Sequence, residues 1–205
     1  MSLISKKMQQ EPKTRRRGGA LESALLDAAW LELAETGYKD FTMEGIARRA
    51  GTNRSVLLRR WPTRQELAFA AIKHFVERNP ITVSDIGDTR AEILSYLKQG
   101  ANRAVPMLNL LMLRMSEYFS DSGSSFAQMR ETLFDHDVEL LRELLHRGVE
   151  RGDLDVRKLT PRIVAVLPDL IRNEIFSTLA PVPDAVIAGI VDEVFLPLAR
   201  LHSND

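Results

Sequence analysis

The hydrophobic residues of this 205-residue chain recur at the spacing of amphipathic helices. In the first such stretch, residues 20–34, one apolar stripe comprises Leu21, Ala24, Leu25, Ala28 and Leu31. No stretch shows the sustained alternation of a β-strand, and glycine and proline fall mainly between the apolar stretches. The pattern therefore predicts an all-α fold.

About nine helices follow from this periodicity and from residues that start or stop helices. They are predicted over residues 20–34, 43–50, 54–61, 63–78, 89–102, 106–119, 126–151, 160–179 and 184–202, with a loop over 121–125. The predicted N-caps are Thr42, Thr52 or Asn53, Thr63, Thr89 and Thr160. Glu66 and Glu92 are expected to complete capping boxes with Thr63 and Thr89. Pro168 and Pro197 fall inside the last two predicted helices and should kink or break them.

Composition narrows the class of protein. The chain has no cysteine, which excludes a disulfide framework, a thiolate zinc site and a cysteine nucleophile. Its first residues contain no apolar run of the kind found in a secretory signal, and no window is long and apolar enough to predict a transmembrane helix. We expect a soluble, cytoplasmic protein that makes no contact with a membrane.

The net charge of zero conceals an uneven distribution along the chain. Residues 1–66 hold five more basic than acidic residues, and residues 67–205 hold five more acidic than basic ones. A basic end joined to an acidic body favours contact between that end and a polyanion. Residues 1–18 are polar and basic, and they are predicted to form a disordered arm.

The pattern over residues 43–61 predicts a helix, a tight turn at Gly51, and a second short helix. This order is typical of a helix-turn-helix. The surrounding residues strengthen the interpretation, and residues 28–72 closely resemble the DNA-binding domain of the tetracycline-repressor (TetR) family. The matching residues are Ala28, Ala29, Leu33, Gly37, Tyr38, Phe41, Thr42, Met43, Ile46, Ala47, Ala50, Gly51, Leu57, Glu66 and Leu67, with Trp61 in place of the usual Phe.

The resemblance implies a sequence-specific DNA-binding regulator, most often a repressor, that binds a palindromic operator on double-stranded DNA as a homodimer. The chain departs from the family pattern at two positions where a phosphate contact is expected. The recognition helix usually carries a Tyr that contacts phosphate, and here that position is Leu58; the usual Lys at the start of the fourth helix is Arg64, which keeps the charge. We expect Arg59 or Arg60 to replace the lost contact at Leu58.

Physical reasoning nominates the same region for DNA contact. The N-terminal residues of a recognition helix face the base edges, which selects Thr52, Asn53, Arg54 and Ser55. The candidates for phosphate contact are Thr42, Arg59, Arg60 and Arg64. Thr42 and Asn53 could instead serve only as helix caps, and Arg60 could be merely solvated. Arg15, Arg16 and Arg17 could enter a minor groove or belong to a solubilising tail.

The residues after the DNA-binding region are predicted to bind an effector and a second copy of the chain. We divide the whole chain into the arm (1–18), a DNA-binding domain (19–66) and a helical domain for effector binding and dimerisation (67–205). The resemblance implies that the last two helices pair with those of a second copy, although their apolar stripes could equally form a core within one chain. It also implies a pocket for a small-molecule effector, for which the candidate lining residues are Met107, Met112, Met115, Tyr118, Phe119 and Asn173.

Other classes of function find less support. Asp135, His136 and Asp137 form the one cluster typical of a metal or acid–base site, but consecutive residues of a helix point apart. No nucleophile elbow, phosphate loop or zinc-protease motif is present. We therefore expect no catalytic residues, no metal and no cofactor. The main alternative is an architectural DNA-binding protein without sequence preference or effector.

Overall fold

The computed structural model describes residues 18–200, except for the side chains of Met112 and Phe126. Its helices are α1 (Gly18–Thr36), α2 (Met43–Arg49), α3 (Arg54–Leu58), α4 (Arg64–Arg78), α5 (Thr89–Arg114), α6 (Ser116–Ser122), α7 (Phe126–Glu150), α8 (Pro161–Thr178), α9 (Asp184–Gly189) and α10 (Leu196–Ala199). A π-helical segment, Ile190–Phe195, joins α9 to α10. If these last three segments count as one helix, the described part holds nine helices and no strand, which confirms the all-α prediction.

The caps of the first four helices agree closely with the sequence. The hydroxyl of Thr42 accepts a hydrogen bond from the Gly45 N–H at 3.1 Å, and Thr63 accepts one from the Glu66 N–H at 3.2 Å. Asn53, rather than Thr52, caps α3. Gly37 ends α1 with a φ of 77°, a left-handed conformation that costs glycine little. Short-range chemistry therefore sets where these helices begin and end.

Two hydrophobic cores hold the helices together. The first core joins α1 to α4 through fully buried side chains such as Leu33, Ile46 and Leu67. It continues into Met115, which lies between α5 and α6, and into Tyr118 of α6. The second core lies among α5, α7, α8 and the last helix. The described part of the predicted arm is only Gly18, which begins α1; the predictions for residues 1–17, Arg15 to Arg17 included, lie outside the described residues.

The fifth helix differs from its prediction. Asp88, not Thr89, is the N-cap, and its carboxylate accepts a hydrogen bond from the Ala91 N–H at 2.9 Å. The predicted break between residues 102 and 106 is wrong, because α5 runs unbroken through Pro106. Asn102, whose carbonyl loses its helical partner at Pro106, is exposed, so water can take the place of the missing N–H.

Other boundaries shift by a few residues. The predicted helix 106–119 is divided at Met115, whose φ of −116° and ψ of 9° end α5 before α6 begins. The loop predicted from residue 121 begins only after Ser122. The third helix ends at Leu58 instead of residue 61. Pro168 lies within a continuous α8, whereas Pro197 follows the π-helical segment, which accommodates a residue that has no N–H to donate.

Candidate nucleic-acid interface and ligand cavity

The helix-turn-helix consists of α2, a turn at Gly51 and α3. Gly51 has a φ of 65°, and the N–H of Thr52 donates to the carbonyl of Ala47 at 2.9 Å, which fixes the turn. Leu57 is fully buried and anchors α3 on the first core. The first turn of α3 is therefore held in place while its outer residues stay exposed.

The four candidates for base contact lie together at the beginning of α3. Thr52 is half-buried, and Asn53, Arg54 and Ser55 are exposed. The Oδ1 atom of Asn53 accepts hydrogen bonds from the Ser55 hydroxyl at 2.6 Å and the Val56 N–H at 3.2 Å, so its carbonyl serves as a cap while its amide N–H₂ stays at the surface. Arg54 forms an exposed ion pair with Glu44 of α2, with Nε and Oε1 2.9 Å apart.

The candidates for phosphate contact differ in their surroundings. Thr42 is exposed, but its hydroxyl caps α2. Leu58 is half-buried against the first core. Arg59 is exposed at the end of α3, and Arg60 donates from Nη1 to the carbonyl of Val56 at 3.3 Å. Thr42 therefore lies at the beginning of α2, whereas Leu58, Arg59 and Arg60 lie at the end of α3.

Arg64, the remaining candidate, joins the helix-turn-helix region to α6. Its Nη2 donates to Asp121 at 2.6 Å, and its guanidinium lies 4.4 Å from the ring centre of Tyr38. Burial raises the pKa of Tyr38 against the opposing effect of Arg64. Asp121 raises the pKa of Arg64 by hydrogen bonding, so the cation is stabilised in this position. A phosphate contact by Arg64 would therefore compete with Asp121.

The sequence did not reveal how α2 is fastened to α1. Arg49 of α2 donates from Nε to Glu32 at 2.8 Å and also pairs with Glu35. Glu32 is buried and lies against Gly45, where an added side-chain carbon would meet its carboxylate. Arg49 thus has a structural role in the orientation of the helix-turn-helix.

A cavity of about 710 Å³ lies among α5, α7 and α8. Most of its wall is aliphatic. Two charged side chains, Arg103 and Asp137, line it although each residue is only 8% exposed. They form an ion pair between Nη2 and Oδ2, and Arg103 also donates from Nη1 to the carbonyl of Asn79 at 3.2 Å.

Sequence reasoning missed Arg103 and Asp137 as cavity residues, although the chain carries a signal for them. Arg103 lies on the same helical row as Tyr96, Gly100 and Met107, and Asp137 lies on the row of buried Leu133, Leu141 and Leu144. A basic and an acidic residue on two otherwise buried rows indicate a buried ion pair, since an isolated buried charge is unfavourable.

The six predicted effector contacts do not converge. Met107 lines the cavity. Met115 and Tyr118 are buried in the first core, and Phe119 packs against it. Asn173 is exposed on α8 and does not line the cavity, and the side chain of Met112 is outside the described part of the chain.

Two clusters have the residue types of catalytic sites but not the geometry. Of the Asp135–Asp137 cluster, Asp137 is buried against Arg103 while its two neighbours are exposed. Ser23, His74 and Asp27 also meet, but the same atom, Nε2 of His74, contacts both partners at 3.3 and 3.0 Å. A serine triad needs the two different ring nitrogens. Within residues 18–200, no three potential ligands are arranged to hold a metal ion.

None of the helices within residues 18–200 combines the length and the apolar character that crossing a bilayer requires.

The fold and these sites together define a helix-turn-helix protein whose helical body encloses a ligand-sized cavity. Residues 25–71 match the family model for bacterial regulatory proteins of the tetR family, and residues 83–194 match that for the tetracyclin repressor-like C-terminal domain. The chain belongs to the TetR family of transcriptional regulators. Regulators of this family bind DNA and small-molecule effectors and dimerise.

Individual relatives agree with this assignment. The chain is 28% identical over 187 residues to a DNA-binding transcriptional repressor TetR of Mycobacteroides abscessus, covering 90% of this chain and 96% of that one. It is 23% identical to the HTH-type transcriptional regulator AqdR of Rhodococcus erythropolis, covering 76% and 74% of the two chains. The solved structure of the flavonoid-responsive regulator FrrA is similar in fold, with a TM-score of 0.60, 15% identity, and coverage of 91% and 100%.

Proposed function

We propose that this protein is a sequence-specific repressor that binds a palindromic operator as a homodimer and is released by a small-molecule effector. The observation that carries the proposal is the exposed first turn of α3, with Asn53, Arg54 and Ser55 on a buried anchor. In this proposal residues 19–66 read the DNA and residues 67–205 bind the effector and the second copy. A regulator of this kind works on the chromosome, so we place it in the cytoplasm.

Within the proposed interface, the residues have distinct roles. Thr52, Asn53, Arg54 and Ser55 face base edges, with the Arg54 guanidinium suited to guanine and the Asn53 amide to adenine. Thr42, Arg59, Arg60 and Arg64 contact phosphates, and Leu58 packs where a hydroxyl would otherwise reach the backbone. To contact DNA, Arg54 must break its ion pair with Glu44, and Arg64 must break its ion pair with Asp121.

The proposed dimer uses α8 and the last helix. Most of their apolar side chains are used inside the chain, since Leu167, Ile171 and Phe195 are buried in the second core. Phe176, Leu179 and Leu198 remain about two-fifths exposed. We propose that a second copy covers these residues; a palindromic operator then requires the two α3 helices to lie about one DNA turn, roughly 34–36 Å, apart.

Release by an effector requires that the ligand prefer a conformation whose two α3 helices no longer match the operator. We assign to α4 the connection between the effector-binding domain and the helix-turn-helix, because α4 packs extensively on α1 and its Arg64 is bonded to Asp121 of α6. A second connection is Arg114 of α5, which donates to the carbonyl of Ala34 at 3.0 Å, while its own carbonyl accepts from the Tyr38 N–H at 2.9 Å. A change at α5 or α6 would thus reach the helix-turn-helix.

Selection of binding sites from a random duplex library at moderate salt tests the proposal. We expect a palindrome for the wild-type protein, and for Arg54→Ala a weaker selection or a relaxed preference at one position of each half-site. Arg142→Ala removes the same charge from an exposed position of α7 and should select the wild-type motif. Binding that depends only on salt, with no enriched motif, would instead establish the architectural, non-specific alternative.

A further inference from the structure

The cavity among α5, α7 and α8 has a chemical character that narrows the class of molecule it accepts. Its volume, about 710 Å³, falls within the range of about 300–1,000 Å³ typical of small-molecule sites. The wall includes Leu97, Ala104, Leu141, Val164 and Ile175, so most of a bound molecule would contact aliphatic carbon. A ligand that fills this space must therefore be largely apolar.

The charges that line the cavity balance one another. Four arginines and four carboxylates lie among its described lining residues, and the one deeply buried pair is Arg103 with Asp137. An anionic ligand group that approached Arg103 would also face Asp137, and a cationic group that approached Asp137 would face Arg103. Either ion would lose its hydration without gaining an uncompensated countercharge.

The buried pair nevertheless has hydrogen-bonding capacity left. Its hydrogen bonds within the described residues use Nη1 and Nη2 of Arg103 and Oδ2 of Asp137. A guanidinium has five N–H donors, and a carboxylate oxygen accepts more than one bond. A hydroxyl or amide group can therefore donate to Asp137 and accept from Arg103 without carrying charge.

We propose that this cavity binds an uncharged, largely apolar molecule that presents one hydroxyl or amide group to the Arg103–Asp137 pair. The proposal gives the chemical class of the effector, and it rests on the proposed function only in treating the cavity as the effector site. Its tests measure ligand binding in the absence of DNA, so they remain informative if operator release fails.

The first test compares two fluorescent probes that share one scaffold. N-phenylnaphthylamine is neutral, and anilinonaphthalene sulfonate is the same scaffold with an anionic group. We expect the neutral probe to bind the full chain with a blue-shifted emission, and the sulfonate to bind at least about tenfold more weakly. Absence of neutral-probe binding, or tighter binding of the sulfonate, would overturn the proposal.

The second test displaces the neutral probe with decanol, decanoate or decylammonium. Decanol is used below its solubility limit, and the two ions are used below their micelle concentrations. The three molecules share an alkyl chain and differ in the charge of the head group. We expect decanol to displace the probe at least about tenfold better than either ion. A preference for decanoate or for decylammonium would contradict the assignment of a neutral head group.

A variant that removes the negative charge of Asp137 tests the role of the buried pair. Asp137→Asn leaves Arg103 without its counterion, so decanoate should now displace the probe better than decanol. Asp169→Asn is the matched control, because Asp169 also lines the cavity but is 56% exposed and pairs with Arg172 at the rim. This control should keep the wild-type order; inversion by both variants, or by neither, would overturn the role given to the pair.

A cavity-filling variant tests the location. Ala165→Phe places a ring at the lining of the cavity and should abolish probe binding, whereas Ala127→Phe changes an exposed alanine of α7 outside the cavity and should not. Circular dichroism verifies the helical fold of every variant. If Asp137→Asn does not fold, the wild-type order of displacement and the Ala165→Phe result decide the proposal. Equal binding by Ala165→Phe would contradict it.

Discussion

Gly45 shows how one small residue lets α2 lie close to α1. An added side-chain carbon would meet the carboxylate of Glu32, and it would lie 3.1 Å from the capping hydroxyl of Thr42. Glu32 is buried and held by Arg49, so it cannot move away without losing its ion pair. We expect Gly45→Ala to destabilise the protein by about 1–3 kcal/mol, the usual range for overpacking.

Chemical denaturation monitored by circular dichroism measures this effect, and Gly19→Ala is its control. Gly19 lies in α1 with open space where its side chain would be, so the change to alanine should be neutral or slightly stabilising. Equal stability of the Gly45→Ala and wild-type proteins would show that α2 can shift at no cost.

The buried carboxylate of Glu92 makes the stability of the fold depend on pH. Its side chain is fully buried and pairs with Arg147 and Arg151, both at separations below 3 Å. Burial alone would raise its pKa, but the Ile86 N–H and the two arginines together hold the pKa below its ordinary value of 4.5. Because the folded state binds this proton less readily than the unfolded state, Glu92 stabilises the fold above pH 4.5 and less as the pH falls.

Glu92→Gln leaves two arginines without their buried partner. We expect it to cost about 3–5 kcal/mol at neutral pH, as removal of one member of a buried pair usually does. The difference from wild type should shrink as the pH is lowered from neutrality to below 4.5, because the wild-type protein then loses the contribution of the ionised carboxylate. Urea denaturation across this range measures it.

The control for Glu92 is Glu77→Gln, at an exposed position of α4. Glu77 is 61% exposed and its distance to Lys73 is 3.7 Å, so its removal should change stability little. If both glutamine variants lost the same stability, the burial of Glu92 would not matter.

At the scale of elements, the ion pair between α4 and α6 competes with the phosphate contact proposed for Arg64. Arg64 donates to Asp121 at 2.6 Å, and a phosphate must replace this carboxylate if Arg64 is to contact DNA. Asp121→Asn removes the competing charge. We expect about two- to fivefold tighter binding to DNA and a steeper dependence on salt, since partly exposed pairs contribute up to about 1 kcal/mol.

Fluorescence anisotropy with a selected operator and a random duplex measures this change. Glu150→Gln is the matched control, because it removes one negative charge from an exposed position at the end of α7, where the carboxylate of Glu150 lies 3.5 Å from His146. Equal affinities of the two variants would show that net charge, and not the release of Arg64, governs binding.

The elements themselves were predictable where short-range chemistry decides them. Thr42, Asn53 and Thr63 cap their helices as side chains that can accept a bond from the first turn. Pro106 was not predictable in this way, because a proline is tolerated inside a helix only when the surroundings satisfy the carbonyl it leaves unpaired. The spacing predicts Glu92 only as a capping residue, because local spacing carries no information about its ion pairs with Arg147 and Arg151.

At the scale of the whole molecule, residue type alone does not predict where the cavity lies. Methionine and aromatic residues suggested a pocket, but Met115 and Tyr118 fill the core beneath the helix-turn-helix. The described cavity is instead lined mainly by small and aliphatic residues, with one buried ion pair. Cavities arise from the packing of distant helices, and helical period alone does not specify which apolar rows leave space between them.

The proposed dimer interface contains exposed apolar residues of α8 and the last helix. Phe176 on α8 is 40% exposed, and Leu198 on α10 is 44% exposed. Phe176→Glu would bury a charge in the interface, so we expect dimer dissociation to increase by roughly thirtyfold or more, equivalent to about 2 kcal/mol at an interface centre. Sedimentation velocity measures the mass of the particle, and operator affinity should fall as the dimer dissociates because a single α3 reads only half of a palindrome.

Ile86→Glu is the control, because Ile86 is an exposed apolar residue outside α8 and the last helix. A dimer that survives Phe176→Glu but dissociates with Ile86→Glu would place the interface elsewhere on the molecule.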